Sequence, residues 1–350
     1  MKCAACGSEV PEGGAFCPAC GMIAADAIRV DDPRLSAPRG EIKAAVAARE
    51  STDRIVSTSW IALPIVLIVL SYIAIPIAVY FLFQHLWTSG PTGESQLIGG
   101  DVARDVLAVM ATIFLFPIVT QIFYAWMAFR LVGRQQAHFG REKALRVGVM
   151  KLLRSAAWST ARMRIASPEI MTLEQSEARG SIRSRDPHIW ALIVALPAIG
   201  ISLALVGFLL VDPETTNIAA ALALVVFGGL IAFIGGIMTL YMFYFLGKEM
   251  QEHDLKWASF IFLSRRAMSK LGFPHGGTYS SIQLPDRSFV LYLVLSFFFF
   301  PFIYYWWYAL MKDPNEHFRR QWEFEDHLLV ATGQWSLGKG AEAPTSASTR

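Results

Sequence analysis

The sequence predicts an all-α integral membrane protein: helical hairpins in three diverged repeat units, about five transmembrane helices, and a small cysteine-rich N-terminal head. Three observations predict it. The 350-residue chain is 54% hydrophobic and only 17% charged, with mean hydropathy +0.42, too apolar for an ordinary soluble protein. Several runs reach the roughly 20 apolar residues that a helix needs to cross a hydrocarbon core of about 30 Å. A spaced motif closes three of these runs: counted from a histidine, it has aromatics at −12 and −9, Leu at −7, Gln or Asn at −2, and Arg or Lys at +3. The first copy is Trp126, Phe129, Leu131, Gln136, His138, Arg141, and the second is Tyr241, Tyr244, Leu246, Gln251, His253, Lys256. The third is Tyr305, Tyr308, Leu310, Asn315, His317, Arg320.

The head, residues 1–21, holds all four cysteines as Cys3-x-x-Cys6-Gly7 and, ten residues on, Cys17-Pro18-x-Cys20-Gly21. Each Cys-x-x-Cys turn presents two thiolates to one ion, and four thiolates close a tetrahedral site that leaves no position for water. The head resembles the short zinc ribbons that begin many microbial membrane proteins, which implies one structural zinc ion held by Cys3, Cys6, Cys17 and Cys20. Iron is the rival, because the turns also resemble rubredoxin knuckles, and a disulfide pair is the third reading. The gap between the pairs is short for a rubredoxin, and Phe16 is the only aromatic near them. A unit this small cannot bury an adequate core without its metal. No basic region with an apolar core stands at the N-terminus, so the head is expected in the cytosol, where thiols stay reduced.

Residues 22–58 read as a polar linker, broken at Asp31-Asp32-Pro33 and Ala37-Pro38-Arg39-Gly40, with room for a brief helix over Glu41 to Glu50. The unit 59–165 contains apolar segments at about Ser59–Leu86 and Val102–Val132, then a basic amphipathic stretch. Residues 166–187 read as a second linker. The unit 188–272 contains segments at about Ile189–Val211 and Ile218–Leu246, followed by a helix. A loop, 273–287, leads to the fifth apolar segment within 288–332, and 333–350 is a small, polar tail expected to be disordered.

Basic residues orient the chain. The hairpin tips, Thr88 to Asp101 and Asp212 to Asn217, contain no Lys or Arg, whereas Arg134 to Arg185 and Lys248 to Arg287 are rich in both. The positive-inside rule places both basic stretches in the cytoplasm. This agrees with a cytoplasmic N-terminus and a multi-pass protein of the cell membrane. The fifth segment, Phe289 to Met311, has Pro301 at its midpoint. A single kinked span satisfies the backbone more simply than a re-entrant hairpin of two half-length helices, so five spans are expected.

Leu145, Val149, Leu152, Leu153 and Ala156 share one face of a basic helix. That face suits either anionic lipid headgroups or this protein's own helices. A second such helix is expected to start afresh at Asp313-Pro314-Asn315-Glu316, with Asp as N-cap and Pro in its first turn.

The motif admits three readings. It is a membrane-exit cassette with aromatics at the interface and a cation near lipid phosphate. Alternatively Gln136, His138, Arg141, Gln251, His253, Lys256, Asn315, His317 and Arg320 meet as a polar cluster. The sharpest version is a metal site made by His138, His253 and His317.

Residues 286–329 resemble a widespread microbial membrane-domain family of unknown function. The likeness rests on Tyr304-Tyr305-Trp306-Trp307-Tyr308, Asn315-Glu316-His317-Phe318 and Trp322-Glu323-Phe324-Glu325-Asp326. It implies a membrane class and carries no activity.

No Gly-rich phosphate loop, nucleophile with a base, or H-E-x-x-H helix is present, so no catalytic residue is named. The leading functional reading is a non-enzymatic scaffold or regulator recruiting an unidentified cytosolic protein. A small channel or transporter for apolar or lipid-like solutes is the alternative, with Gly228-Gly229 and Gly235-Gly236 as a gate or a packing seam. A membrane enzyme acting on lipid is the third. Nucleic acid is disfavoured, because the head has only Lys2 as a base before residue 29.

Overall fold

The computed structural model describes residues 7–9, 19, 32–88, 100–159, 163–178, 183–209, 218–273, 283–299 and 301–333. Cys3, Cys6, Cys17 and Cys20 lie outside the described residues, as does the tail from residue 334. The described elements are helices: α1 (Pro33–Ala47), α2 (Arg49–Thr52), a 3₁₀ turn (Thr58–Ile61), α3 (Ala62–Thr88), α4 (Gly100–Ser159), α5 (Met163–Ala178), α6 (Pro187–Leu209), α7 (Ile218–Leu271), α8 (Phe289–Phe298) and α9 (Phe302–Ala331).

Four helices are long and apolar enough to cross a membrane, within Thr58–Phe81, Leu115–Trp158, Pro187–Gly207 and Ile218–Leu271. They pair as α3 with α4 and α6 with α7. Their outer faces leave large apolar side chains uncovered, among them Tyr72, Phe81, Leu222 and Phe233. A surface of this kind is stable only against lipid or a partner. α6 meets α7 through glycine: a Cβ on Gly228 would strike the Gly200 carbonyl and the backbone of Ala204, and one on Gly235 would strike Leu196 and Pro197. Gly229 and Gly236 face open space. The seam reading of these glycines therefore describes Gly228 and Gly235.

α4 and α7 do not stop where their apolar segments end. At 60 and 54 residues they run about 90 and 80 Å at 1.5 Å per residue. Beyond Val132 the chain offers Gln, Ala, Arg, Glu, Lys and Leu with no proline, so nothing interrupts the helix. The amphipathic stretch is thus a continuation of α4. Its apolar face packs on the protein itself: Leu145, Val149, Leu152 and Leu153 form one core with Leu35 and Ile42 of α1, Ile170 and Leu173 of α5, Trp257 of α7 and Phe324 of α9.

Several features differ from those the sequence predicts. Residues 22–58 are not merely a linker, because α1 and α2 lie there. Asp32-Pro33 is a helix start rather than a breaker: the Asp32 carboxylate accepts from the Arg34 N–H, and Pro33 needs no intrahelical donor; Ala37-Pro38-Arg39-Gly40 lies inside α1 rather than breaking it. Likewise 166–187 carries most of α5, held by buried Ile170 and Leu173. The segment Phe289 to Met311 is not one span. α8 has 10 residues, a rise of about 15 Å, and the chain breaks at Phe299 and Pro301 before α9 returns. Arg287 pairs with Asp313 at 2.6 Å, and Tyr292 meets Phe302 and Trp306, contacts that require an antiparallel hairpin.

Finally, Pro314 does not restart the helix, because α9 runs through it. Proline removes the donor for the Leu310 carbonyl. The Arg134 guanidinium replaces it, donating to Leu310 O at 2.8 Å and to Met311 O at 3.3 Å.

Candidate metal centre

α4, α7 and α9 each carry one motif histidine just beyond an apolar stretch. The leucine at −7 lies two turns back on the same face, so Leu131, Leu246 and Leu310 enter one core and point the histidines after them toward a shared axis. The aromatics at −12 and −9 turn outward: Trp126, Phe129, Tyr241, Tyr244 and Tyr305 are exposed.

His138, His253 and His317 meet. One ring nitrogen from each lies within 4.8 Å of the others, and all three side chains are buried. His138 Nε2 and His253 Nε2 face each other at 3.2 Å. Two imidazoles bound to one tetrahedral ion at 2.0–2.1 Å stand roughly 3.3–3.4 Å apart. The opposite ring nitrogens are tied to carboxylates: His138 Nδ1 lies 3.0 Å from Asp53 Oδ1, and His317 Nδ1 2.6 Å from Asp254 Oδ1. Such carboxylate–histidine pairs fix the tautomer and leave Nε2 as a lone-pair donor.

Two buried polar atoms at the centre have no hydrogen bond, His317 Nε2 and Glu142 Oε2. Glu142 Oε2 lies 2.6 Å from His253 Nε2, yet out of line for a hydrogen bond. Its other oxygen accepts from Arg146. Burying a polar atom without a partner is costly, and a cation held by the three histidines would satisfy His317 Nε2.

The Asp53 carboxylate anchors one flank. Arg141 Nη2 donates to it at 2.6 Å, Trp322 Nε1 at 2.8 Å and Thr52 Oγ1 at 2.9 Å. Burial alone would raise this carboxyl, but the His138 ring, Arg141 and Trp322 hold it well below the usual range. Arg141 also reaches Glu325 at 2.6 Å. Burial pushes Glu325 up to about 7 against the pull of Arg141.

The remaining sequence candidates lie outside the histidine cluster. The three −2 amides instead grip backbone that leads into other helices. Gln136 donates to Arg183 O and accepts from the Arg185 N–H, just ahead of α6. Gln251 donates to Pro285 O, ahead of α8. Asn315 donates to Val56 O at 2.7 Å and accepts from its N–H at 3.2 Å, ahead of the 3₁₀ turn and α3. At +3 only Arg141 is buried; Lys256 is exposed, and Arg320 donates to the Glu316 carbonyl.

Sequence reasoning missed Asp53, Glu142, Asp254, Glu325 and Arg134. Asp254 follows a motif histidine directly, and Glu142 is four residues after His138, so both had a local signal. Asp53 is 85 residues from the ring it holds and had none.

Comparisons with protein-family models, curated proteins and solved structures found no match to this chain.

Proposed function

We propose that this chain is a metal-dependent membrane scaffold, in which one divalent transition-metal ion ties α4, α7 and α9 together beside the bilayer. The observation that carries this reading is the convergence of His138, His253 and His317 on one buried point. Three imidazoles suit zinc and its neighbours in the first row. Three protein ligands leave the fourth position of a tetrahedral ion open, and the burial of all three rings keeps that position from bulk water.

The ring of amide contacts supports three diverged units around an axis. Unit one holds the lead-in of unit two through Gln136, two holds three through Gln251, and three holds one through Asn315. On this reading the basic side faces the cytoplasm, with the N-terminus and its Cys3, Cys6, Cys17 and Cys20 zinc ribbon on that side to recruit a protein partner. Gly228 and Gly235 are occupied in helix packing, which weakens the glycine-gate argument for a transporter.

Metal-linked stability tests the proposal. Replacing the four cysteines with serine removes thiolate-bound zinc from consideration. Chelation should then lower the melting temperature of the detergent-purified chain, and added zinc should restore it. A melting profile indifferent to both defeats the reading.

A further inference from the structure

Beside the histidines, and opening where the apolar part of α7 ends, is a cavity of about 540 Å³ lined by five Lys or Arg against three Glu. Tyr241, Tyr244, Lys248 and Lys256 line it from α7, and Arg183 and Arg185 from the stretch ahead of α6. Arg185 is engaged, pairing with Glu249 at 2.6 Å and covering the Phe245 ring at 3.7 Å. Lys248 has only a loose contact with Glu252 at 3.9 Å. The Arg183 and Lys256 side chains are exposed and make no ion pair among the described residues.

We propose that this cavity binds a phosphate-bearing anion at the membrane surface. Free cations over a floor of engaged ones give a positive field with donors still to spare. Tyr241 and Tyr244 suit the glycerol and upper acyl region of an amphiphile, because tyrosine pairs an apolar body with a polar tip. Basic pockets at this depth receive phosphorylated headgroups. His253 also lines the cavity, but the anion's contacts come from Arg183, Lys248 and Lys256, so the site stands without the metal reading.

The full chain in neutral detergent is titrated with phosphatidylglycerol, phosphatidylcholine or inorganic phosphate, with bound molecules counted by native mass spectrometry. Phosphatidylglycerol should fill one preferred site that phosphatidylcholine does not fill. The exposed triple variant Arg183→Gln/Lys248→Gln/Lys256→Gln should weaken that binding by about 100-fold, one cation's share for each residue lost. Lys256→Arg and the distant, exposed Arg319→Gln should leave it intact. Inorganic phosphate that competes assigns a soluble source; failure to compete assigns the lipid headgroup, and both retain the site. Binding undiminished in the triple variant, or no binding of either phosphatidylglycerol or phosphate, would overturn it.

Discussion

The membrane-level half of this molecule and the half beside it are held together by different forces. Along α3, α6 and the first part of α7, large side chains such as Phe233 face outward and backbones approach through Gly200, Gly228 and Gly235. Lipid tails are as apolar as leucine, so burial gives no drive there and close packing of small residues takes its place. Beyond the spans, α4, α7 and α9 bury leucines and aromatics as a soluble protein does, with α1 and α5 closing that core. Charges are also buried there, but in a connected set: Asp53, Arg141, Glu325 and the three histidines. The same helices thus obey two sets of rules along their length, and the candidate centre lies where the rules change.

The buried charges depend most on Arg141, which pairs with both Asp53 and Glu325. Arg141→Met leaves Asp53 and Glu325 buried without their cation, which should cost about 3–5 kcal/mol. Denaturant or thermal unfolding in detergent measures it, and a loss below about 1 kcal/mol would mean that water reaches the cluster.

Next comes a pair of truncations. Leu152→Ala, in the extramembrane core, should lose about 2–5 kcal/mol, whereas Phe233→Ala on the lipid face should change stability by no more than about 0.5 kcal/mol. Equal effects would erase the distinction between the halves.

A finer contrast lies within one helix. Gly228→Leu forces α6 from α7 and should cost about 1–3 kcal/mol, while Gly229→Leu meets open space and should be close to neutral. Reversal of that order would show α7 rotated from the orientation described.

How much of this was legible depends on the range of the contact. The four helices long and apolar enough to cross a membrane could be read because a run of apolar residues is a local property. The histidines were legible as a pattern, since His138, His253 and His317 each follow a leucine by seven residues. What surrounds them was not. Asp53 comes from a stretch whose composition resembles a linker, and only the packing of Leu35 and Ile42 against α4 brings it in. Pro314 looked like a helix boundary because the rule for proline assumes that the freed carbonyl goes unpaired. Arg134, 176 residues away, supplies the missing donor. The turn at Phe299 and Pro301 was open to two readings, and the pairing of Arg287 with Asp313 selects the hairpin.

Metal stoichiometry decides whether His138, His253 and His317 share one ion. In a chain whose four cysteines are serine, one tightly held divalent ion per molecule is expected. That ion should be lost when His138, His253 and His317 are replaced together by alanine. A cysteine-free protein that takes up neither zinc nor cobalt, or an ion that survives the loss of all three histidines, would contradict it.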